Sequence, residues 1–258
     1  MHSNVFNFLP LLYPISNPLF IKYMTILYVN GDSNSAGAEA VNSYCFAEDD
    51  PLYWALGRRP HPDNERVSYG CELANMLYAV LHCDAESASS NDRIIRTTYN
   101  YLENEDAPDL VVIGWSTWER QEWWHEPTQR YWQVNAGGVG ADWPAEIKEM
   151  YKPYIANLDY DRAVKHAHDK IYLLHKELDK LEINHIFFNT FEPIRSSNYE
   201  NWEGSYVEPY NPEYTYYNWL KARGFKTVRP DSYHFGPDAH HAWAEFLYQN
   251  YVQKVLTN

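Results

Sequence analysis

The chain has 258 residues, with 21 Lys and Arg against 35 Asp and Glu and a formal net charge of −14. Binding a nucleic-acid duplex requires phosphates to be neutralised by Lys and Arg, so this balance, with no basic cluster, argues against nucleic acid and against an anionic membrane. The length suits one α/β domain with decorations and a sizeable core.

Residues 1–23 are fairly apolar but interrupted by Pro10, Pro14 and Pro18, with no Lys or Arg before Lys22 and no small-residue cleavage site. They are expected to be an N-terminal extension rather than a signal peptide, ahead of a single domain over 24–258. No stretch reaches the roughly 20 apolar residues that a bilayer span needs. Cys45, Cys71 and Cys83 cannot all pair and lack metal-ligand spacing, which favours a reducing, cytoplasmic setting.

Met24–Val29 reads as a first strand that breaks into the turn Gly31-Asp32-Ser33-Asn34-Ser35-Ala36-Gly37. A loop rich in Asp, Pro and Asn follows over 34–66. Residues 69–82 read as a buried helix, because Leu73, Met76, Leu77 and Val80 fall at helical spacing. The polar turn 86–91 leads to a second helix at about 92–104. Asp109–Gly114 is a continuous apolar run suited to a central parallel strand.

An aromatic-rich insertion occupies about 115–157. Residues 158–182 form the clearest helix, with Val164, Ala167, Ile171, Leu174, Leu178 and Leu181 three or four apart. His185–Asn189 is the next strand. A second aromatic-rich insertion over 195–217 runs into a helix at about 212–223, and a weak strand is expected at 225–229. The last helix starts at Pro237, a favoured first-turn position for proline, and should bury Ala239, Trp243, Phe246 and Leu247. Such alternation implies a parallel sheet with right-handed crossovers, whose ligands bind beyond the carboxyl ends of the strands.

Three residues near those ends complement one another. A serine hydroxyl becomes a good nucleophile when a base takes its proton, and the base works best when a carboxylate fixes its tautomer. Ser33 supplies the hydroxyl, His234 the imidazole and Asp231, three residues earlier, the carboxylate. Each also has a plain structural reading: Ser33 as a turn residue, Asp231 as a helix cap, His234 as a loop histidine. His240 and His241 lack a carboxylate at triad-like spacing. His166 and His168 diverge by about 200° on a helix and are no metal pair. With no P-loop and no dinucleotide fingerprint, neither a cofactor nor a metal is expected.

Gly-Asp-Ser-x-x-x-Gly after the first strand, with Asp-x-x-His before the last helix, resembles the SGNH (GDSL-type) hydrolases: esterases, lipases and carbohydrate O-deacetylases. The resemblance spans about 24–256. It implies a flavodoxin-like three-layer α/β sandwich and a metal-independent Ser33–His234–Asp231 triad. It also implies an oxyanion hole built from the N–H of Ser33, a second-block backbone N–H at Ala88, and a third donor. The family's asparagine position holds Ser116, so the Ser116 or Asn91 side chain is expected to take over.

Six of the ten tryptophans lie within 115–143. Trp115, Trp118 and Trp123 are read as a sugar-binding wall, with a packed aromatic lid as the bland alternative. The resulting expectation is an esterase that removes acetyl or other short acyl groups from a carbohydrate. A catalytically weakened glycan-binding protein and an acyltransferase with the same triad stay open. The expected partner is an acyl ester or acylated glycan, and the oligomeric state is open.

Overall fold

The computed structural model describes residues 25–48, 59–140, 143–196 and 199–257. The proposed extension over 1–23 lies outside the described residues. Strand β1 (Ile26–Gly31) runs parallel to β2 (Val80–Cys83) on one side and to β3 (Leu110–Trp115) on the other, with β6 (His185–Asn189) beyond β3. Both β3 and β6 are buried along their whole length, as continuous apolar strands covered on two faces should be.

The short helix α1 (Pro62–Glu65) precedes the helices that cover the sheet, and alternate side chains of the strands serve opposite layers. Leu27, Val29, Val112 and Phe188 face α2 (Tyr69–Leu77), α6 (Tyr216–Ala222) and α7 (Pro237–Leu247) through Leu73, Trp219 and Trp243. Tyr28, Val111, Ile113 and Phe187 face α3 (Asn91–Asn104) and α5 (Tyr160–Lys180) through Ile94, Ile171 and Leu174. Each fully buried side chain of this size contributes about 1.5–3 kcal/mol. A one-residue slip of β1 would exchange the two sets between unlike layers, so its register is firmly specified. The molecule is a three-layer α/β fold, as expected.

Within 69–82 the helix stops early. Tyr78 takes the left-handed conformation (φ 53°), its N–H reaches back to Ala74 and Asn75, and the chain re-emerges as β2. Val80 therefore belongs to the sheet, a helix–strand ambiguity that short apolar runs cannot resolve by periodicity. The strand expected at 225–229 is not part of the sheet among the described residues: Thr227 makes an isolated antiparallel bridge to Phe235 instead. Proline does open the last helix, and Ala239, Trp243 and Leu247 are buried while Phe246 is half-buried. No helix among the described residues is long and apolar enough to cross a membrane.

The first aromatic insertion is a hairpin, β4 (Gln121–His125) and β5 (Arg130–Val134), followed by α4 (Ala145–Ala156). It docks on α3, where the Arg96 guanidinium clasps both Glu122 carboxylate oxygens at 2.8 Å. Gln133 Oε1 also accepts the Ser90 N–H at 3.0 Å. At the carboxyl edge of the sheet, Gly31 and Gly114 leave a notch for Ser35. A Cβ on Gly31 would lie 2.1 Å from Ser35 Oγ, and one on Gly114 would lie 2.7 Å from the same atom. The Tyr69 hydroxyl donates to Ser35 Oγ at 2.8 Å and holds the post-β1 loop over the strand ends.

Candidate active site

The chain leaving β1 forms a helical turn, with Ala36 N–H donating to the Asp32 carbonyl and Ala38 N–H to that of Ser33. Ser33 stands at the start of this turn, beyond the carboxyl end of the sheet, 7 % exposed. Asp32 is fully buried; its Oδ1 accepts the Asn34 N–H at 3.0 Å. Its Oδ2 accepts from Ser116 Oγ at 3.2 Å and faces Arg120 Nη1 at 3.4 Å. The buried carboxylate thus ties the loop after β1 to the loop after β3.

Six residues beyond Ser33, on the same loop, lies Glu39. Its Oε2 accepts from His234 Nδ1 at 2.6 Å and from Ser232 Oγ at 2.7 Å, while the Arg229 guanidinium pairs with Oε1. Burial alone would raise the Glu39 pKa. Hydrogen bonds from His234 and Ser232, the His234 charge and Arg229 together outweigh burial, and the pKa falls below the usual carboxylate value. An ionised Glu39 keeps a proton on His234 Nδ1 and leaves Nε2 with its lone pair. The same depression makes Glu39 a source of stability that is present above the unfolded carboxylate pKa and lost as pH falls through the lower folded value.

The carboxylate facing His234 is therefore Glu39 and not Asp231. Residues 227–235 double back, with Val228 N–H donating to the His234 carbonyl and Ser232 N–H to that of Arg229. This turn aims Ser232 at Glu39 and leaves Asp231 at the tip, its side chain 84 % exposed and 3.6 Å from Arg229 Nε. Glu39 itself has φ 62°, a left-handed strain of the order of 1–2 kcal/mol in a non-glycine residue. Nothing in the local sequence marks Glu39, whereas the three-residue step from Asp231 to His234 fits a familiar string.

Ala88 has φ 66°, the region glycine favours. Neither its N–H nor that of Ser33 donates to an acceptor among the described residues, so two backbone donors stand unspent on adjacent loops. Ala88→Gly is expected to stabilise the fold by about 1 kcal/mol, roughly 2–4 °C in Tm, because it relieves strain and keeps the N–H. Thermal denaturation beside an activity assay checks both halves.

Ser116 and Asn91 are otherwise employed. Asn91 clamps the Ser116 backbone, accepting its N–H at 2.9 Å and donating to its carbonyl at 3.3 Å. The Ser116 hydroxyl donates to Asp32 and accepts from Arg120 Nη1 at 2.8 Å. The expectation that either side chain stands free as an oxyanion donor is corrected: both hold the framework. The space beside the short serine is taken by Arg120, whose Nη1 also reaches the Ser89 carbonyl at 3.5 Å and whose Nε is buried without a partner. Next to Ser33, both amide atoms of Asn34 are likewise buried and unbonded. Arg120 sits four residues past Ser116, with no motif to single it out.

The aromatic wall is largely core. Trp115 is fully buried and meets Phe187 edge-on at 5.2 Å, and Trp118 is 4 % exposed in the same cluster. Neither lies open to a sugar. Trp123 is half-buried, its indole N–H on Gln121 and its ring edge-on to Tyr154, while Trp124 is 46 % exposed. His240 is a structural residue: it accepts the Tyr69 N–H, and burial, aided by the His234 charge, pushes its pKa down to about 3.

Taken as a class, this is a three-layer α/β protein in which the loop after β1 carries a serine and, six residues on, a carboxylate that accepts from an imidazole. No protein family and no curated sequence matches the chain. Among solved structures it is similar to a carbohydrate esterase whose active site is described as having divergent catalytic and non-catalytic binding functions; identity is 17 % over 93 % of this chain and 69 % of that one, TM-score 0.41. It is also similar to a carbohydrate esterase family 2 enzyme with a carbohydrate-binding domain from Corynascus thermopiles (Myceliophthora fergusii), at 17 % identity, 91 % and 67 % coverage and TM-score 0.41. A third likeness is to an acetyl xylan esterase from the rumen bacterium Butyrivibrio proteoclasticus, at 12 % identity, 91 % and 63 % coverage and TM-score 0.37.

Proposed function

We propose that the chain is a serine ester hydrolase acting on short acyl esters, with acetyl groups on a carbohydrate as the substrate class. The observation that supports this most is the 2.6 Å pair between Glu39 and His234 Nδ1, made by the loop that presents Ser33. It gives the imidazole the tautomer a general base needs. Ser33 Oγ attacks the ester carbonyl carbon while His234 Nε2 takes its proton. The oxyanion that forms is held by the unspent N–H groups of Ser33 and Ala88 and by the Arg120 guanidinium. Collapse breaks the bond to the alkoxide, which leaves with the proton from His234. Water then attacks the acyl-serine, giving its proton to His234, and Ser33 is regenerated. Among the described residues Ser33 Oγ makes no hydrogen bond to His234, and the proposed reaction requires substrate binding to bring the two within reach.

The reading is tested by labelling with a fluorophosphonate and by acetate release from an acetylated oligosaccharide, both of which must depend on Ser33. Glycan binding without acetate release would favour a non-catalytic binding protein. Arg120 has its own signature. If its guanidinium faces charge that develops only in the transition state, Arg120→Ala lowers kcat about 10–100-fold with little change in KM, and Arg120→Lys recovers part of the loss. A change confined to KM would instead make Arg120 a ground-state binding residue.

A further inference from the structure

At the other edge of the sheet, two imidazoles and a carboxylate meet with too few protons to satisfy one another. His175 and Asp179 lie one turn apart near the end of α5, and His185 is the first residue of β6. His175 Nδ1 is 2.8 Å from His185 Nε2, and His175 Nε2 is 3.3 Å from Asp179 Oδ2. Asp179 Oδ1 is 3.9 Å from His185 Nε2. One ligand atom from each of the three residues can be chosen so that all lie within 4.8 Å of one another. His175 is fully buried and His185 is 2 % exposed.

The proton count decides what this cluster wants. His185 Nδ1 faces the Ile183 carbonyl at 2.9 Å, so its proton sits there and Nε2 carries a lone pair. A neutral His175 has one proton to place. On Nδ1 it satisfies His185 but turns the Nε2 lone pair toward a carboxylate. On Nε2 it suits Asp179 but leaves two nitrogen lone pairs 2.8 Å apart. His175 Nε2 in fact has no hydrogen bond of ordinary geometry. A cation between the lone pairs resolves the conflict, with each ring's other N–H turned to an oxygen, as metal-bound imidazoles usually have it.

We propose that His175, Asp179 and His185 form a structural site for a divalent transition-metal ion, best matched by zinc, that fastens the end of α5 to the start of β6. Two imidazoles and one carboxylate are borderline ligands of the zinc type, and a fourth position is left for water. Trp202 and Tyr172 pack on His175, and Phe187 on His185. Lys176 Nζ, 2.9 Å from Asp179 Oδ2 and 3.4 Å from Glu203, leaves Asp179 Oδ1 for the ion. Zinc bonds of normal length at a tetrahedral angle place two ligand nitrogens about 3.3 Å apart, so the two rings open by roughly half an ångström on binding. The length of β6, about 17 Å at the usual rise per residue, separates this site from the carboxyl edge.

The test uses the full chain purified without a polyhistidine tag. Elemental analysis should find about one zinc per chain, and cobalt(II) in its place should give the intense visible absorption of a tetrahedral centre. Chelation should lower Tm by roughly 5 °C, reversed by zinc, without changing Ser33-dependent ester hydrolysis. Asp179→Asn should weaken zinc binding at least about 10-fold, and His185→Gln should weaken it further. No metal, no cobalt absorption and a Tm indifferent to zinc and chelator would overturn the proposal. So would full zinc binding in His185→Gln. In the metal-free alternative, nitrogen-15 spectra of the unmodified protein would show a proton on His175 Nδ1.

Discussion

Ser33→Ala is expected to abolish fluorophosphonate labelling and to lower kcat for an acetyl ester by about 10⁴-fold or more, leaving what the oxyanion donors and substrate binding supply by themselves. In the proposed reaction this hydroxyl is the atom that forms the acyl bond, and alanine has nothing to replace it. Stability offers an internal control. Ser33 Oγ makes no hydrogen bond among the described residues, and its backbone N–H is retained in alanine, so the folded state loses no hydrogen bond. The loss of stability should therefore stay below about 1 kcal/mol, the usual net worth of one hydrogen bond. An unchanged kcat with intact folding would remove Ser33 from the mechanism. A large loss of Tm would show that the side chain supports the loop instead.

Glu39→Gln should lower kcat by about 10³–10⁴-fold, while Asp231→Asn should stay within about twofold. Glutamine keeps the size of Glu39 but loses the charge that holds the proton on His234 Nδ1 and steadies the imidazolium, a change that costs about 10⁴ where a triad aspartate is made neutral. Asp231 is at the tip of its turn, highly exposed, its partner an exposed arginine, and pairs of that kind contribute little. The reverse outcome, a large effect at Asp231 and none at Glu39, would restore the pairing that the local string suggests.

Much of the framework follows from local patterns. Continuous apolar runs mark β3 and β6, the three-and-four spacing from Val164 to Leu178 marks α5, and Pro237 marks the first turn of the last helix. Each rests on an interaction between residues a few positions apart, so a short window contains its cause. The same holds for Ser33 at the break after β1 and for the left-handed position at Ala88, where chain geometry around a turn limits the choice. Residues 69–82 show where such windows fail: helical spacing and a short apolar strand give the same letters, and only pairing with β1 separates Val80 from α2.

What the amino-acid order determined by itself was the layering of strands and helices and the edge at which chemistry can occur, since periodicity and turn chemistry act locally. Which side chains meet at that edge was decided by the tertiary structure. Glu39 reaches His234 across 195 positions, Arg120 fills the space beside Ser116 because the hairpin docks on α3, and Trp115 is core because α5 covers it. His175 and His185 are brought together by the turn between α5 and β6, at the edge remote from Ser33. Contacts of this kind depend on packing and charge among elements that are distant or differently oriented in the chain, and no short stretch of sequence contains both partners together with the geometry that joins them.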